Sequence, residues 1–568
     1  VNQNLSLSVG QATTSGIKPI NQDFLDFQIP QDPVLSFKGA CFVMADGISS
    51  SQVSQVASEA SVQAFIEDYY CTPDAWSIES SVNKVTKSVN TWLYAQTQNS
   101  PFKYNKDKGY VCTFSALVIT PQDAHIFNVG DTRIYHLAGG KLNQLSTDHR
   151  KVISSEQSYL SRAMGVQQTL EVDHTCIEIH QGDYFIQATD GVYEFISQAD
   201  IMDAINRYSK LQSAADYLVK LALDKGSNDN LSIQIIRVNQ LNQKAILKKQ
   251  GDISNLQLPP ALKPRVEFDG FEIVRQVYIS SRSHVYLAID LQTQKKVALK
   301  VPSTEQATDK LYLERFMLED WIAKKVNHPN VVKGIKTDSQ KQYLYIATEF
   351  VEGQNLDQWI RDNPKPRLNQ VRQIVNQIAD GLQAFHRNEM VHQDLRPHNI
   401  MIDDNNTVKI IDFGSTYIAG VTDVETQEVM RGTLRYSAPE YFLGQVGTQR
   451  SDIYSLGVIA YQMLSGKFPY SNQISQAHSR KAQDRYKYKS LLTEESEIPA
   501  WVDDALAKAL AKDPWKRYSE LSEFIYDLHH PNKNFLNKTR PPLIERDPVM
   551  FWQAVSAILF MALIAQYL

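Results

Sequence analysis

The stretch Val391 to Gly414, VHQDLRPHNIMIDDNNTVKIIDFG, decides how the rest of the chain is read. Asp394 sits where a base must orient a hydroxyl, and Asn399 follows at a spacing that lets it hold a metal ion. Asp412, in an Asp-Phe-Gly triplet, supplies a second metal carboxylate. Two apolar runs, Ile400-Met401-Ile402 and Val408 with Ile410 and Ile411, bracket the turn Asp403-Asp404-Asn405-Asn406. The pattern predicts a hairpin that holds both metal ligands rigidly.

A chain of 568 residues is too long for one ordinary domain and predicts two to four. A net charge of -5 with a pI near 6.3 gives no basic field, so a nucleic-acid partner is not expected. Cys41, Cys71, Cys112 and Cys176 are scattered with no C-x-x-C pair, which fits a reducing cytosol better than a disulfide framework or a zinc site. The first residues are polar and lack a basic-then-apolar signal.

From residue 1 to about 238, strand and helix patterns come in blocks. Gly39–Gly47 reads as a buried strand ending in a carboxylate. Helical spacing follows at Val53, Val56, Ala60, Ala64 and at Val82, Val85, Val89, Leu93. Strand runs at Thr113–Thr120, Ala124–Val129, Arg133–Leu137 and Tyr184–Ala188, with a turn at 138–141, predict an antiparallel α+β sandwich. Asp46-Gly47, Asp131, Asp190-Gly191 and Asp229-Asn230 each fall at or just after the end of an apolar strand. One such Asp is usually a turn former. Four together predict convergence on hard cations such as magnesium or manganese.

The ordered motifs Asn21-Gln22-Asp23, Ala45-Asp46-Gly47, Asn128–Arg133, Thr147-Asp148-His149, Ser161–Gly165, Ala188–Gly191 and Ser227–Asn230 resemble those of the metal-dependent (type 2C) protein phosphatases. The resemblance implies an αββα sandwich. It further implies that Asp46 bridges two metals with the Gly47 carbonyl completing one shell, that Asp190 and Asp229 hold the other, and that Asp131 serves a third. A water shared by two divalent ions about 3.5–4 Å apart loses its proton near neutral pH, so no cysteine nucleophile is needed. Two positions depart from the family. Lys18 stands where an arginine usually clamps the phosphate, giving charge without a fork. Ile48-Ser49-Ser50 replaces the usual His or Met followed by two glycines, so Ile48 cannot act as a general acid. All the metal ligands remain, and the phosphatase is expected to be active.

Residues 239–266, with Lys244, Lys248, Lys249 and Pro259, Pro260 and Pro264, read as a linker. A flexible chain of that length spans roughly 30 Å, which brings one domain within reach of the other as a substrate in cis. A spacer without communication fits equally.

Residues 267–530 open with strands at Phe271–Val277, Val285–Ile289 and Lys296–Val301. With Val297-Ala298-Leu299-Lys300, His328-Pro329-Asn330 and the opening stretch, they resemble the eukaryotic-like Ser/Thr protein kinases, a two-lobed fold. The resemblance implies that Lys300 holds the α- and β-phosphates of ATP and pairs with Glu319, that Asp394 is the base, and that Arg396 replaces the catalytic-loop lysine. It also implies that Asn399 and Asp412 hold magnesium, and that adenine meets a hinge of Thr348, Glu349 and Val351 with Thr348 as gatekeeper. Gly432–Glu440 closes the activation segment and places Thr433; Asp452 and Arg517 match structural anchors, Arg517 as partner of Glu440. Tyr278, Ser280 and Ser283 stand where three loop glycines belong, and Gln393 replaces the arginine of His-Arg-Asp.

After 531–548, which carries Lys533, Lys538, Arg540 and Arg546, the run Val549–Leu568 has no charge. Twenty residues at 1.5 Å rise give about 30 Å, one bilayer core. A transmembrane anchor is expected, in a bacterial inner membrane with both domains cytoplasmic. The whole predicts a bifunctional enzyme acting on protein Ser/Thr and on phosphoSer/phosphoThr. An active phosphatase with a nucleotide-gated pseudokinase module is the alternative, and a membrane scaffold a third reading.

Overall fold

The computed structural model describes residues 5–241, 257–422 and 435–532, apart from 33, 75, 155–156, 307–308, 337–340, 472–475 and 493–497, together with 552–553 and 555–556. It divides into two compact units. One comprises Val1–Asn327, Lys333–Phe350 and Ile418–Asp423; the other comprises His328–Val332, Val351–Tyr417 and Val424–Leu568.

In the first unit, two antiparallel five-stranded sheets face each other. One orders Leu5–Thr14, Leu231–Leu241, Tyr184–Ala188, Arg133–Ala138 and Lys141–Gln144; the other orders Asp173–Glu178, Asp123–Val129, Phe114–Ile119, Ala40–Ala45 and Phe24–Gln28. Side chains alternate across each strand. Thus Ile236 and Val238 meet Phe42, Leu117 and Ile126 between the sheets. Ile233 and Ile235 turn the other way, onto Ala215, Leu218 and Ala222 of the Leu211–Asp224 helix. The helices Ser54–Tyr69 and Ile78–Gln98 cover the outer face of the second sheet. The expected sandwich forms, with five strands the periodicity did not mark: Phe24–Gln28, Lys141–Gln144 and Asp173–Glu178, and also Leu5–Thr14 and Leu231–Leu241, which pair over their whole length.

The same unit carries a further five-stranded sheet, Glu267–Phe268, Phe271–Ile279, Ser283–Asp290, Lys296–Pro302 and Ile346–Glu349. Phe271, Ile273, Tyr286, Val297, Leu299 and Tyr345 form its core. The end of the expected linker is built into it. Leu262 is buried in that core, and Arg265 N–H donates to Ile273 O at 2.7 Å. The helix Lys310–Lys325, capped by Asp309 accepting from Tyr312 N–H, lies in this part.

The second unit is mainly helical around Leu368–His386 and Gln449–Ser465. Val371, Ile374, Ile378, Leu382 and Phe385 lie on the buried face of the first of these. The hairpin of the opening stretch forms between Ile400–Asp403 and Val408–Ile410, with Ile400 opposite Ile410. Its turn is closed by Asp403 Oδ1, which accepts from the N–H groups of Asn405 (2.9 Å) and Thr407 (2.7 Å).

Among the described residues no helix is long and apolar enough to cross a membrane. The expected span Val549–Leu568 falls outside them except at 552–553 and 555–556, so the predicted transmembrane helix has no counterpart in the described fold. The basic segment before it is described only as far as 532.

Candidate active sites

The sandwich brings its strand-end carboxylates to one end. Asp46 follows Ala40–Ala45 and Asp131 follows Asp123–Val129, both in one sheet. Asp190 follows Tyr184–Ala188 and Asp229 precedes Leu231–Leu241, both in the other. Asp46 is fixed by its backbone: its N–H donates to Thr113 Oγ1 at 2.9 Å, and its carbonyl accepts from Thr113 N–H at 2.8 Å. The glycines beside two of these acids are sterically required. A Cβ on Gly47 would lie 2.7 Å from Gln22 O, and one on Gly191 would lie 2.0 Å from Asn230 O.

Crowding of like charge is the electrostatic signature. Burial pushes the Asp46 carboxyl well above the ordinary range, and Asp23, Asp190, Asp131 and Asp229 push it further. Burial likewise raises Asp131 to about 6, with Asp190 adding and Arg150 opposing. Asp190 rises through burial and Asp229, again against Arg150. Two participants escaped sequence reasoning. Asp23, in the Asn-Gln-Asp motif, accepts from Thr189 Oγ1 at 3.0 Å and is raised to about 7, first by burial. Arg150 reaches Asp131 at 3.0 Å, Asp190 at 2.9 Å and Glu194 at 2.5 Å. Asp23 could have been found as a further acid at a strand start; nothing local marked Arg150. An all-oxygen set of crowded acids fits hard divalent cations, whose charge would relieve the repulsion. Lys18 ion-pairs with Asp229 and donates to Ser49 Oγ at 2.8 Å.

In the second domain's sheet, Lys300 Nζ meets Glu319 Oε1 at 2.6 Å and Oε2 at 2.9 Å. The pair bridges the strand Lys296–Pro302 and the helix Lys310–Lys325, as expected. Thr348 and Glu349 end the neighbouring strand, Thr348 opposite Ala298. Glu349 Oε1 accepts from Lys333 N–H at 3.0 Å. The division between the units falls after Phe350, so Val351 belongs to the other one. The loop from Ser280 to Ser283 closes on itself: Ser280 N–H donates to Ser283 O, and Ser283 N–H to Ser280 Oγ, both at 3.0 Å. Tyr278 is exposed beside it. None of Tyr278, Ser280 and Ser283 has a positive φ, so this hairpin does not demand glycine for its backbone.

The second unit assembles the opening stretch. Asn399 Nδ2 donates to the Asp394 carbonyl at 2.9 Å and to its carboxylate at 3.2 Å. Arg396 Nε lies 3.4 Å from the same carboxylate and 3.3 Å from Asn399 Oδ1. Burial raises the Asp394 carboxyl, with Arg396 opposing and Asp412 adding. Asp412 Oδ1 accepts from Gly414 N–H at 3.2 Å, which fixes the triplet. Behind the loop, buried Asp452 accepts from His392 N–H (2.9 Å), Gln393 N–H (3.0 Å) and His386 Nε2 (2.9 Å). Arg517 forms the expected pair with Glu440, at 2.8 and 2.6 Å. Thr433, and Thr426 earlier in the same segment between Asp412 and Glu440, lie outside the described residues.

Comparison with known proteins agrees with both halves. Residues 18–232 match the family model of protein phosphatase 2C, and residues 271–530 match that of the protein kinase domain. The serine/threonine-protein kinase PrkC of Bacillus subtilis is 32% identical over 263 residues, which is 45% of this chain and 40% of PrkC. The serine/threonine-protein kinase PknB of Mycobacterium leprae is 33% identical over 281 residues, 48% of this chain and 43% of that protein. The chain thus spans less than half the length of these relatives. Among solved structures, the serine/threonine phosphatase PstP/Ppp of Mycobacterium tuberculosis is similar over 41% of this chain and 99% of its own, at 21% identity and a TM-score of 0.35. The kinase domain of PknI from the same organism covers 48% and 98%, at 24% identity and a TM-score of 0.38. The chain therefore carries a phosphatase 2C domain followed by a protein kinase domain.

Proposed function

We propose that the chain is a signalling enzyme that phosphorylates Ser/Thr on proteins with ATP and hydrolyses phosphoSer and phosphoThr, tethered to a bacterial inner membrane by Val549–Leu568. The observation that carries this reading is the convergence of Asp46, Asp131, Asp190 and Asp229, with Asp23, in one field. Asp46, the Gly47 carbonyl, Asp190 and Asp229 would hold magnesium or manganese, with Asp131 at an accessory position. When bound, such ions activate a water and neutralise charge on the phosphoryl oxygens. Lys18 then attracts the substrate phosphate as a point charge. In the kinase, Lys300 positions ATP and is itself held by Glu319, and Asp394 accepts the proton of the attacking hydroxyl. Arg396 neutralises charge on the transferring group, and Asn399 and Asp412 hold magnesium. Thr348, Glu349 and Val351 receive the adenine. The domains are taken as 1–238 and 267–530 with a linker between, and the kinase domain is one candidate substrate of its own phosphatase.

The absence of loop glycines at Tyr278, Ser280 and Ser283 favours a second reading, in which the kinase domain binds nucleotide and recruits targets without phosphoryl transfer. Phosphoproteomes of wild type, Asp394→Ala and Asp46→Ala cells discriminate the two. Sites lost in Asp394→Ala and gained in Asp46→Ala support the bifunctional reading. An Asp394→Ala profile identical to wild type would hand the domain to the second. For the tether, deletion of Val549–Leu568 is expected to move the protein from the membrane to the soluble fraction; a full chain already soluble would refute it.

A further inference from the structure

The helix Lys310–Lys325 is buried on every side through its middle. Phe316, Met317, Leu318, Glu319, Asp320, Trp321, Ile322 and Ala323 are all buried. A helix hydrophobic on one face would cover its own sheet; one buried all round needs a second partner. Glu319 and Trp321 are two residues apart, about 200° around the axis. Glu319 faces Lys300. Trp321 faces the phosphatase domain, where Trp76 meets it edge-on, with ring centroids 5.6 Å apart at 65°. One turn along the same face, Lys325 ion-pairs with Asp68 at the end of the Ser54–Tyr69 helix, the two side chains only 8% and 11% exposed. Burial raises the Asp68 carboxyl while Lys325 and Lys336 oppose it, so the acid is matched to cations of the kinase domain.

A second contact involves another kinase element. The segment after the Asp-Phe-Gly triplet turns tightly, with Val421 and Thr422 N–H groups donating to Ile418 O. A Cβ on Gly420 would lie 2.3 Å from Thr91 Oγ1 and 3.2 Å from Lys87 O, both on the phosphatase helix Ile78–Gln98. Gly420 has a φ of 77°, so both conformation and proximity select glycine there. The phosphatase domain thus touches the helix that carries Glu319 and the start of the activation segment. It does so away from its metal-site loops. The N-terminal end of the Ser54–Tyr69 helix adjoins Gly47 and Gln22, whereas Asp68 sits at the other end, about 20 Å along by the helical rise.

We propose that the phosphatase domain is a resident clamp on the kinase: Trp76 and Asp68 hold the outer face of the Glu319 helix, so that Glu319 stays on Lys300. Trp76 and Asp68 are positioning residues, since neither touches substrate. The proposal rests on the kinase reading above for its activity, but its structural part can be measured without it.

The test uses the full chain. Kinase turnover is measured in an Asp46→Ala background, so that the product phosphopeptide persists, and phosphatase turnover in the wild-type background. Asp68→Lys and Trp76→Ala are each expected to lower kinase kcat at least tenfold and to speed amide exchange in residues 310–325. Phosphatase kcat/KM with manganese should stay within twofold, which also reports that the first domain is folded. Adding Lys325→Asp to Asp68→Lys should recover at least part of the kinase rate. If Asp68→Lys loses phosphatase activity, Trp76→Ala decides. Exchange in 310–325 and kinase kcat both unchanged in Trp76→Ala would overturn the clamp. If the wild type transfers no phosphoryl group, the kinase reading fails, and the exchange measurement alone still decides whether the helix is held.

Discussion

Lys18, the cation expected to draw in the phosphate, is ion-paired with Asp229, one of the acids expected to hold metal. Both side chains are partly exposed, at 23% and 32%, so the pair is open to exchange of partners. A divalent ion on Asp229 would compete for the carboxylate and release the ammonium toward substrate. Lys18→Ala is therefore expected to raise KM for a phosphothreonine peptide about tenfold, the scale of one charge-assisted hydrogen bond. It should leave manganese affinity equal or higher. Lys18→Arg should lower KM, because the planar fork grips two phosphate oxygens. Steady-state kinetics with manganese titration checks both; a lower metal affinity in Lys18→Ala would refute the competition.

Metal removal follows from the same cluster. Without cations, Asp46, Asp131, Asp190 and Asp229 repel one another around Arg150. Exhaustive chelation is expected to abolish hydrolysis and to leave the fold intact but less stable. Restored manganese should raise the melting temperature with concentration, since a ligand at a hundredfold its Kd stabilises by about 2.7 kcal/mol. Asp46→Ala should blunt that rise. Full activity after chelation would remove the metal from the mechanism.

Much of this was legible because function here depends on charges at fixed offsets. Asp46 and Asp190 announce themselves just past strand ends, whereas Asp229, expected after a strand, precedes Leu231–Leu241 instead. Lys300, Glu319, Glu440 and Arg517 find the partners their motifs imply. Long-range pairing was harder. Leu5–Thr14 and Leu231–Leu241 carry mixed polar residues, and the first is only partly buried, so neither shows a clean alternation. Arg150 reaches its acids only through the sandwich's closure. The burial of Trp321 on a helix already committed to Glu319 cannot be inferred from the helix alone, because its outer partner lies in another domain.

Lys38 gives a pH test of that same region. It is buried, donating to Thr72 Oγ1 at 2.7 Å and Pro73 O at 3.2 Å. Burial depresses its pKa to about 8, with Lys324 also lowering it and Asp74, Asp320 and Cys71 opposing. The unfolded chain then holds more protons than the folded one between about pH 8 and the ordinary lysine value near 10.4. Stability therefore rises with pH across that window, by up to roughly 3 kcal/mol, and the burden is full below it. Denaturation of wild type and Lys38→Met should show the wild type gaining on the variant from pH 8 to 10.5. A difference flat in pH would mean that the ammonium is not penalised.

Phosphorylation of the activation segment is not expected to switch this kinase. Gln393 precedes Asp394, the proposed base, at the position where the kinases this domain resembles carry arginine. It is held in place by its backbone, with N–H to Asp452 Oδ1 at 3.0 Å and a φ of 67°. Its side chain is buried, and its amide nitrogen has no hydrogen-bond partner among the described residues. A neutral amide cannot make the charge-assisted pair with a phosphothreonine that orders an activation segment in arginine-bearing relatives. Such a pair is worth roughly 1.5–3 kcal/mol, so its loss would cost an enzyme that used it tenfold or more. This kinase is therefore expected to turn over without segment phosphorylation. With radiolabelled ATP and the full chain in an Asp46→Ala background, transfer should vanish in Asp412→Ala and survive Thr426→Ala within about threefold. Gln393→Arg, by contrast, should make the rate sensitive to Thr426→Ala, because a guanidinium could then read the phosphate. A tenfold loss in Thr426→Ala with Gln393 still in place would show that another cation reads the segment.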